Sequence, residues 1–149
     1  MIATDLDLAH MRHAIEWSRR CPSVPDAFNV GAVVVDAYGG QLAYGYSRET
    51  DSYVHAEESA LAKLAGVDLR DAAIYSTLEP CSVRASRPLP CTQLILRAGI
   101  PRVYFALREP LLLADCEGVE LLAAAGVQVV ELPQFAADVV AINGHLIRR

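Results

Sequence analysis

The 149-residue sequence has no long apolar segment, no basic N-terminal stretch and no excess of positive charge. Its apolar runs, such as residues 31–35, are far shorter than the ~20 residues that a transmembrane helix needs. Because the first residues include Asp5 and Asp7 and no basic cluster, we expect no secretion signal, no membrane association and a cytoplasmic location. The 13 basic residues against 18 acidic ones give a net charge of −5, which argues against a nucleic-acid partner.

Internal repeats, low-complexity stretches and linkers are absent as well, and cysteine is scarce. Four cysteines in a chain without a secretion signal do not indicate a disulfide scaffold, and close spacing of cysteines more often indicates a metal or catalytic site. Apolar residues make up 53% of the chain and charged residues 21%, which excludes disorder and predicts a dense core. The length predicts one domain over residues 1–149.

Strand and helix patterns alternate along the chain, which predicts an α/β fold. We expect strands at residues 30–37, 41–47, 72–77, 102–107 and 127–132, and helices at residues 4–20, 55–64, 92–98, 116–125 and 134–142. The first two strands are joined by a Tyr38-Gly39-Gly40 turn and the later ones by helices. The sequence therefore predicts a mixed five-stranded sheet with helices on both faces, a three-layer α-β-α sandwich.

Two segments contain residue types that suit a metal site. His55 and Glu57 stand at the start of a predicted helix, and Cys81 and Cys91 flank a proline-containing loop with nine residues between them. Zinc prefers imidazole and thiolate ligands, and a catalytic zinc site keeps three protein ligands and one open position. We therefore predict that His55, Cys81 and Cys91 bind Zn²⁺, with the two thiolates balancing its charge.

Glu57 is the predicted proton carrier of this site and not a metal ligand. Residues two apart in a helix interior point in nearly opposite directions, so His55 and Glu57 can converge only where the helix begins. Zinc lowers the pKa of a bound water towards ~7, so that this water can attack near neutral pH. Because an amine leaves only after protonation, one carboxylate that moves the proton from the water to the departing amine suffices.

The combination of His55-Ala56-Glu57, Pro80-Cys81 and Cys91 is the pattern of zinc-dependent base deaminases. Over almost its whole length the chain resembles the cytidine-deaminase-like superfamily. The long separation of the two cysteines resembles one branch, the pyrimidine deaminase of riboflavin biosynthesis, and the Asn29-Val30-Gly31 segment is similar to that branch as well.

This resemblance implies a zinc-dependent hydrolase that removes an exocyclic amino group from a small aminopyrimidine, without an organic cofactor, in a homodimer or homotetramer. It also implies that Asn29 contacts the pyrimidine or its sugar, and that Ala56 offers a main-chain amide to the ring carbonyl. Arg84 and Arg87 lie in the loop between the two cysteines, where they either bind a substrate phosphate or are solvated.

The sequence departs from the riboflavin branch at two places, and these departures leave the substrate open. Asp51-Ser52-Tyr53-Val54 replaces a Gly-Gly-Pro run, and Val83 replaces a histidine that serves the substrate. The first expected substrate is the ribosylamino phosphate of a diaminopyrimidine, and the alternative is a free nucleobase, a nucleoside or a specialised aminated heterocycle, including an aminopurine. A tRNA-editing deaminase is disfavoured by the net charge, and a non-catalytic zinc module by the presence of Glu57.

Overall fold

The computed structural model describes residues 3–108 and 116–147, and this part of the chain forms five strands and five α-helices. The strands are β1 (Gly31–Val35), β2 (Gln41–Tyr46), β3 (Ala73–Leu78), β4 (Arg102–Leu107) and β5 (Gln128–Glu131). The helices are α1 (Asp5–Ser18), α2 (Ala56–Ala62), α3 (Cys91–Ala98), α4 (Gly118–Ala124) and α5 (Ala136–Ile142). Every predicted element is present, and no end differs from the prediction by more than two residues.

The strands form one mixed sheet in the order β2-β1-β3-β4-β5. Strand β1 runs antiparallel to both β2 and β3, whereas β3, β4 and β5 are parallel. All residues of β1 and β3 are buried, as expected of strands that are covered on both faces. The predicted mixed sheet is therefore confirmed. No helix in the described part of the chain is long and apolar enough to cross a bilayer.

Helices cover both faces of the sheet, which confirms the three-layer prediction. Helices α1 and α5 pack on one face through side chains such as Met11 and Val139. Helices α2, α3 and α4 pack on the other face, where Ile95 and Leu122 are fully or almost fully buried. Successive side chains of a strand point to opposite faces of the sheet. In β1, Val33 packs in the apolar cluster under α1 and α5, and Val34 packs in the apolar cluster under α2, α3 and α4.

The predicted N-terminus of α1 is stabilised by a capping box. Thr4 Oγ1 accepts the main-chain N–H of Asp7 at 3.1 Å, and the Asp7 carboxylate accepts the main-chain N–H of Thr4 at 2.9 Å. This reciprocal pair satisfies two of the main-chain donors that a helix start leaves without partners. All of its atoms belong to residues 4–7, so the motif is determined locally by the sequence.

One edge of the sheet brings the predicted site residues together. Because β1 and β3 are antiparallel, the segment that enters β1 lies beside the segment that leaves β3. A third apolar cluster forms there, containing Phe28, Val30, Ala32, Ala56 and Leu78. The cluster joins the start of α2 to the end of β3, so that His55 and Cys81 emerge from neighbouring parts of the fold.

Candidate active site

Three predicted metal ligands converge at this edge of the sheet. His55 is the N-cap of α2, Cys91 is the first residue of α3, and Cys81 follows β3. His55 Nδ1 lies 3.6 Å from Cys81 Sγ and 3.5 Å from Cys91 Sγ, and all three donor atoms lie within 4.8 Å of one another. A tetrahedral zinc ion with ordinary bond lengths holds nitrogen and sulfur about 3.6 Å apart. The donor chemistry and spacing therefore fit Zn²⁺.

The start of α3 favours the thiolate form of Cys81. The main-chain N–H of Cys91 donates to Cys81 Sγ at 3.1 Å. The side-chain hydrogen bond from Cys91, together with the nearby His55, lowers the pKa of Cys81, and the same pairing with Cys81 and burial raise the pKa of Cys91. Cys81 is therefore the more acidic of the two thiols, and metal binding requires both to be deprotonated.

Glu57 lies in the same cavity as His55 and Cys81 and is only 4% exposed. Burial, and secondarily the Cys81 thiolate, raise the pKa of Glu57 to about 7, while hydrogen bonding from Ser76 acts in the opposite direction. A carboxyl group with a pKa near neutrality can both accept and donate a proton under ordinary conditions. Because α2 begins at Ala56, His55 and Glu57 meet the requirement that they converge at a helix start.

The cavity beside these residues has a volume of about 240 Å³. Its wall is apolar at Phe28, Val30 and Leu78 and polar at Ser47, Arg48 and Ser86. A neighbouring hollow of about 580 Å³ shares residues of its wall, namely Asp26, Ala27, Arg48, Ser52 and Tyr53. An apolar slot with a few polar groups at its rim suits a flat ring, and the second hollow offers room for a substituent of that ring.

Three hydrogen bonds fix the position of Asn29 beside this cavity. Its main-chain N–H donates to Asn143 Oδ1 at 2.7 Å, and its carbonyl accepts from Asn143 Nδ2 at 3.2 Å. Its side-chain oxygen accepts from Arg48 Nη2 at 2.5 Å. Its neighbours Phe28 and Val30 line the cavity, whereas Asn29 itself does not. The hydrogen bond from Arg48 sets the orientation of the Asn29 amide, with the amide nitrogen as the remaining donor.

Arg48 and Asn143 are site residues that the sequence did not reveal. Arg48 lines the cavity, and its guanidinium also donates to the main-chain oxygens of Pro22 and Phe28. It is the one non-glycine residue with a positive φ, 61°, in the described ranges. Asn143 is fully buried and lies 114 residues from its partner Asn29. No local sequence pattern indicates contacts over such separations.

Arg84 and Arg87 are paired with carboxylates. Arg84 Nη2 lies 2.9 Å from Glu58 Oε1, and the Arg84 side chain is 2% exposed. Arg87 Nη2 lies 2.5 Å from Asp51 Oδ2, and its Nε lies 3.1 Å from Glu58 Oε2. A solvated loop, the alternative to phosphate binding, therefore does not describe Arg84. Neither arginine lines the cavity, although Ser86 between them does.

Two more residues at the site are Ala56, which the sequence singled out, and Glu79. Ala56 is the fully buried first residue of α2, where main-chain N–H groups have no partner within the helix. Glu79 lines the cavity and accepts the main-chain N–H of Val119 at 3.0 Å. This contact fastens the start of α4 behind the Cys81 segment, which agrees with a supporting role for Glu79.

Comparison with known proteins adds independent information. Residues 4–107 match the family model of the cytidine and deoxycytidylate deaminase zinc-binding region. The chain is similar to a Schizosaccharomyces pombe protein named diaminohydroxyphosphoribosylamino-pyrimidine deaminase, with 39% identity over 142 residues that cover 91% of this chain and 35% of the relative. The chain thus spans about a third of the length of the curated relatives it matches.

Two solved structures are similar in fold. A Thermotoga maritima diaminohydroxyphosphoribosylaminopyrimidine deaminase and reductase superposes with a TM-score of 0.78 and 33% identity, over 91% of this chain and 38% of that one. The Aspergillus oryzae Rib2 deaminase in complex with DARIPP superposes with a TM-score of 0.81 and 26% identity, over 93% of this chain and 90% of that one.

Proposed function

Because the chain belongs to the cytidine and deoxycytidylate deaminase zinc-binding family, we propose that it is a zinc-dependent hydrolase that removes an exocyclic amino group from a small aminopyrimidine. One observation supports this proposal most strongly. The donor atoms of His55, Cys81 and Cys91 have the spacing that zinc requires, and the buried carboxyl of Glu57 lies in the same cavity. Three protein ligands leave the fourth position open for the reaction.

Proton transfer in the proposed reaction is assigned to Glu57. When bound, the zinc ion acts as a Lewis acid that makes a water molecule nucleophilic near neutral pH. Glu57 accepts one proton from the attacking water and passes it to the ring nitrogen, and it then carries the remaining proton of the added hydroxyl group to the departing amine, so that the hydroxyl becomes a carbonyl. The ring carbon exchanges its C–N bond for a C–O bond, and ammonia leaves. Burial raises the pKa of Glu57 in the metal-free protein, which suits a carboxyl group that must both accept and donate a proton.

Two further groups are proposed to orient the ring. A main-chain N–H at Ala56, at the start of α2, donates to the ring carbonyl. The amide nitrogen of Asn29 donates to the pyrimidine or to its sugar, because Arg48 already occupies the amide oxygen. In this arrangement the substrate must present hydrogen-bond acceptors on that side.

The proposed substrate is a diaminopyrimidine with a phosphorylated sugar-derived side chain. The name of the yeast relative and the DARIPP bound to the Aspergillus protein support this choice. The geometry agrees, because a ring in the cavity of about 240 Å³ can extend its substituent into the adjoining hollow. Four further points stay predictions: phosphate binding by Arg84 and Arg87, a homodimer or homotetramer, a cytoplasmic location, and a single deaminase domain over residues 1–149. Sedimentation of the protein tests its assembly.

Ammonia release from a panel of substrates tests the proposal. The zinc-loaded protein is incubated with the phosphorylated diaminopyrimidine, its dephosphorylated form, cytosine, cytidine, guanine and adenosine. We expect turnover of the phosphorylated diaminopyrimidine, and a loss of about 10²- to 10⁴-fold in Glu57→Gln with the zinc content unchanged. Turnover of only a free base or nucleoside would replace the proposed substrate, and full activity of Glu57→Gln would refute the mechanism.

A further inference from the structure

A cluster of four charged residues connects the loop between the two cysteine ligands to the segment that contains His55. The four residues are Asp51, Glu58, Arg84 and Arg87. Arg84 lies at its centre, three residues after Cys81, and its side chain is 2% exposed. Its guanidinium donates to Glu58 Oε1 at 2.9 Å and to the main-chain oxygen of Tyr53 at 2.5 Å. The loop is therefore bonded to residues on both sides of His55.

Glu58 extends this connection to the metal ligand itself. It is the third residue of α2, and its Oε1 accepts the main-chain N–H of His55 at 3.2 Å. The same oxygen accepts from Arg84, while Oε2 accepts from Arg87 Nε at 3.1 Å. One carboxylate thus contacts the main chain of His55 and both arginines of the loop that joins Cys81 to Cys91.

The burial of the pair argues against phosphate binding by Arg84. A buried guanidinium requires a counter-charge, and Glu58 supplies it. A phosphate that captured Arg84 would leave Glu58 beside His55 without its buried partner. One donor of Arg84, Nη1, is buried without a hydrogen-bond partner in the described part of the chain, so the experiment must also measure the response to phosphate.

We propose that Arg84 and Glu58 are positioning residues that hold the Cys81–Cys91 loop against His55 and so set the geometry of the zinc site. Residues that orient metal ligands typically contribute about 10- to 100-fold to metal affinity. The inference rests on the metal-binding half of the proposed function and is independent of the identity of the substrate.

Zinc affinity, measured by competition with a chelator, tests this role without turnover. We expect Arg84→Gln and Glu58→Gln each to raise the zinc Kd about 10- to 100-fold, and the double variant to raise it less than the product of the two, because both break one contact. Arg84→Lys, which keeps the charge but loses the planar fork, should recover part of the affinity. The control Arg70→Gln, whose ion pair with Asp68 is exposed on both sides and lies outside this cluster, should change the Kd by less than about threefold. The absorption spectrum of the Co²⁺-loaded variants reports the ligand geometry directly.

The alternative gives a different result. If Arg84→Gln leaves the zinc Kd unchanged and raises KM only for the phosphorylated substrate, Arg84 is a phosphate-binding residue and the inference is overturned. Should Arg84→Gln not fold, Arg84→Lys and the near-isosteric Glu58→Gln decide, and unchanged zinc affinity in both overturns it. A parent protein that binds zinc with Arg84-dependent affinity but deaminates nothing would refute the proposed function and leave this inference standing.

Discussion

Replacing Gly45 by alanine tests how closely α2 must approach the sheet for the site to form. Gly45 pairs with Ala32 inside the sheet and lies under the first turns of α2. A Cβ at this position would lie 2.2 Å from the main-chain oxygen of Ala56 and 2.6 Å from the main-chain nitrogen of Ala60. Since Cβ atoms essentially never approach closer than 3.0 Å, α2 would have to retreat by about 0.8 Å or more.

Two opposing effects decide the outcome of Gly45→Ala. Alanine reduces the entropy of the unfolded chain, which stabilises a protein by at most ~1 kcal/mol. The clash is with main-chain atoms that cannot rotate away, and overpacking of this kind costs about 1–3 kcal/mol. Overpacking is therefore expected to dominate. A shift of ~1 Å in catalytic groups costs about 100-fold in rate, and α2 positions both His55 and Glu57.

For each variant, chemical denaturation measures stability, competition with a chelator measures zinc affinity, and ammonia release measures turnover. The matched control is Gly144→Ala, where the nearest atom to the new Cβ lies at an ordinary 3.4 Å. We expect Gly144→Ala to retain the stability, zinc affinity and turnover of the parent, and Gly45→Ala to lose all three. A Gly45→Ala protein with parental zinc affinity and stability would show that the spacing between α2 and β2 does not position the site.

Three further outcomes follow from the same geometry. In the metal-free protein, burial raises the pKa of Glu57 from an ordinary 4.5 to about 7, so the contribution of Glu57 to stability is fully present below pH 4.5 and falls by about 3 kcal/mol as the pH rises to 7; relative to the parent, the denaturation midpoint of Glu57→Gln should gain by this amount over the same pH range, and parallel pH profiles would contradict it. Asn143→Ala removes the buried partner of Asn29 and should cost about 2–4 kcal/mol in chemical denaturation and raise KM, whereas parental values would show that the clamp is dispensable. Removing zinc with a chelator should lower the denaturation midpoint, and free zinc at about 1,000 times its Kd should restore ~4 kcal/mol; a midpoint that does not respond to zinc would contradict the assigned ligands.

The elements of the fold could be predicted because their determinants are local. Apolar runs and turn residues were enough to place all five strands in order. The ends of the strands and helices could be predicted less closely, because they depend on specific hydrogen bonds. Strand β1 ends at Val35 and not at residue 37, because the Asp36 carboxylate accepts the main-chain N–H groups of Tyr38 and Gly40 and bends the chain. Helix α5 begins at Ala136 because Pro133 first forms a 3₁₀ turn.

The candidate metal ligands could also be predicted from the sequence, but their surroundings could not. Zinc chemistry restricts the ligands to a few residue types, so His55, Cys81 and Cys91 could be selected from the sequence. The environment of Arg84 could not be predicted from the sequence, because its partner Glu58 lies on another segment of the chain. A positively charged loop therefore suggested phosphate, whereas the structure surrounds Arg84 with groups that neutralise it.

Residues 51–54, one of the places where the sequence departs from the riboflavin branch, contribute to the walls of the two hollows. Tyr53 is 65% exposed and lines both hollows, and Val83 is 73% exposed. The proposed proton carrier Glu57 and the ligand Cys91 are buried, and neither Arg84 nor Glu58 lines the cavity. Tyr53 contacts Arg84 through its main-chain oxygen, so a change of its side chain alone can alter which ring or substituent enters without breaking that contact. Differences in substrate between this chain and its relatives are therefore to be sought first at the Tyr53 side chain.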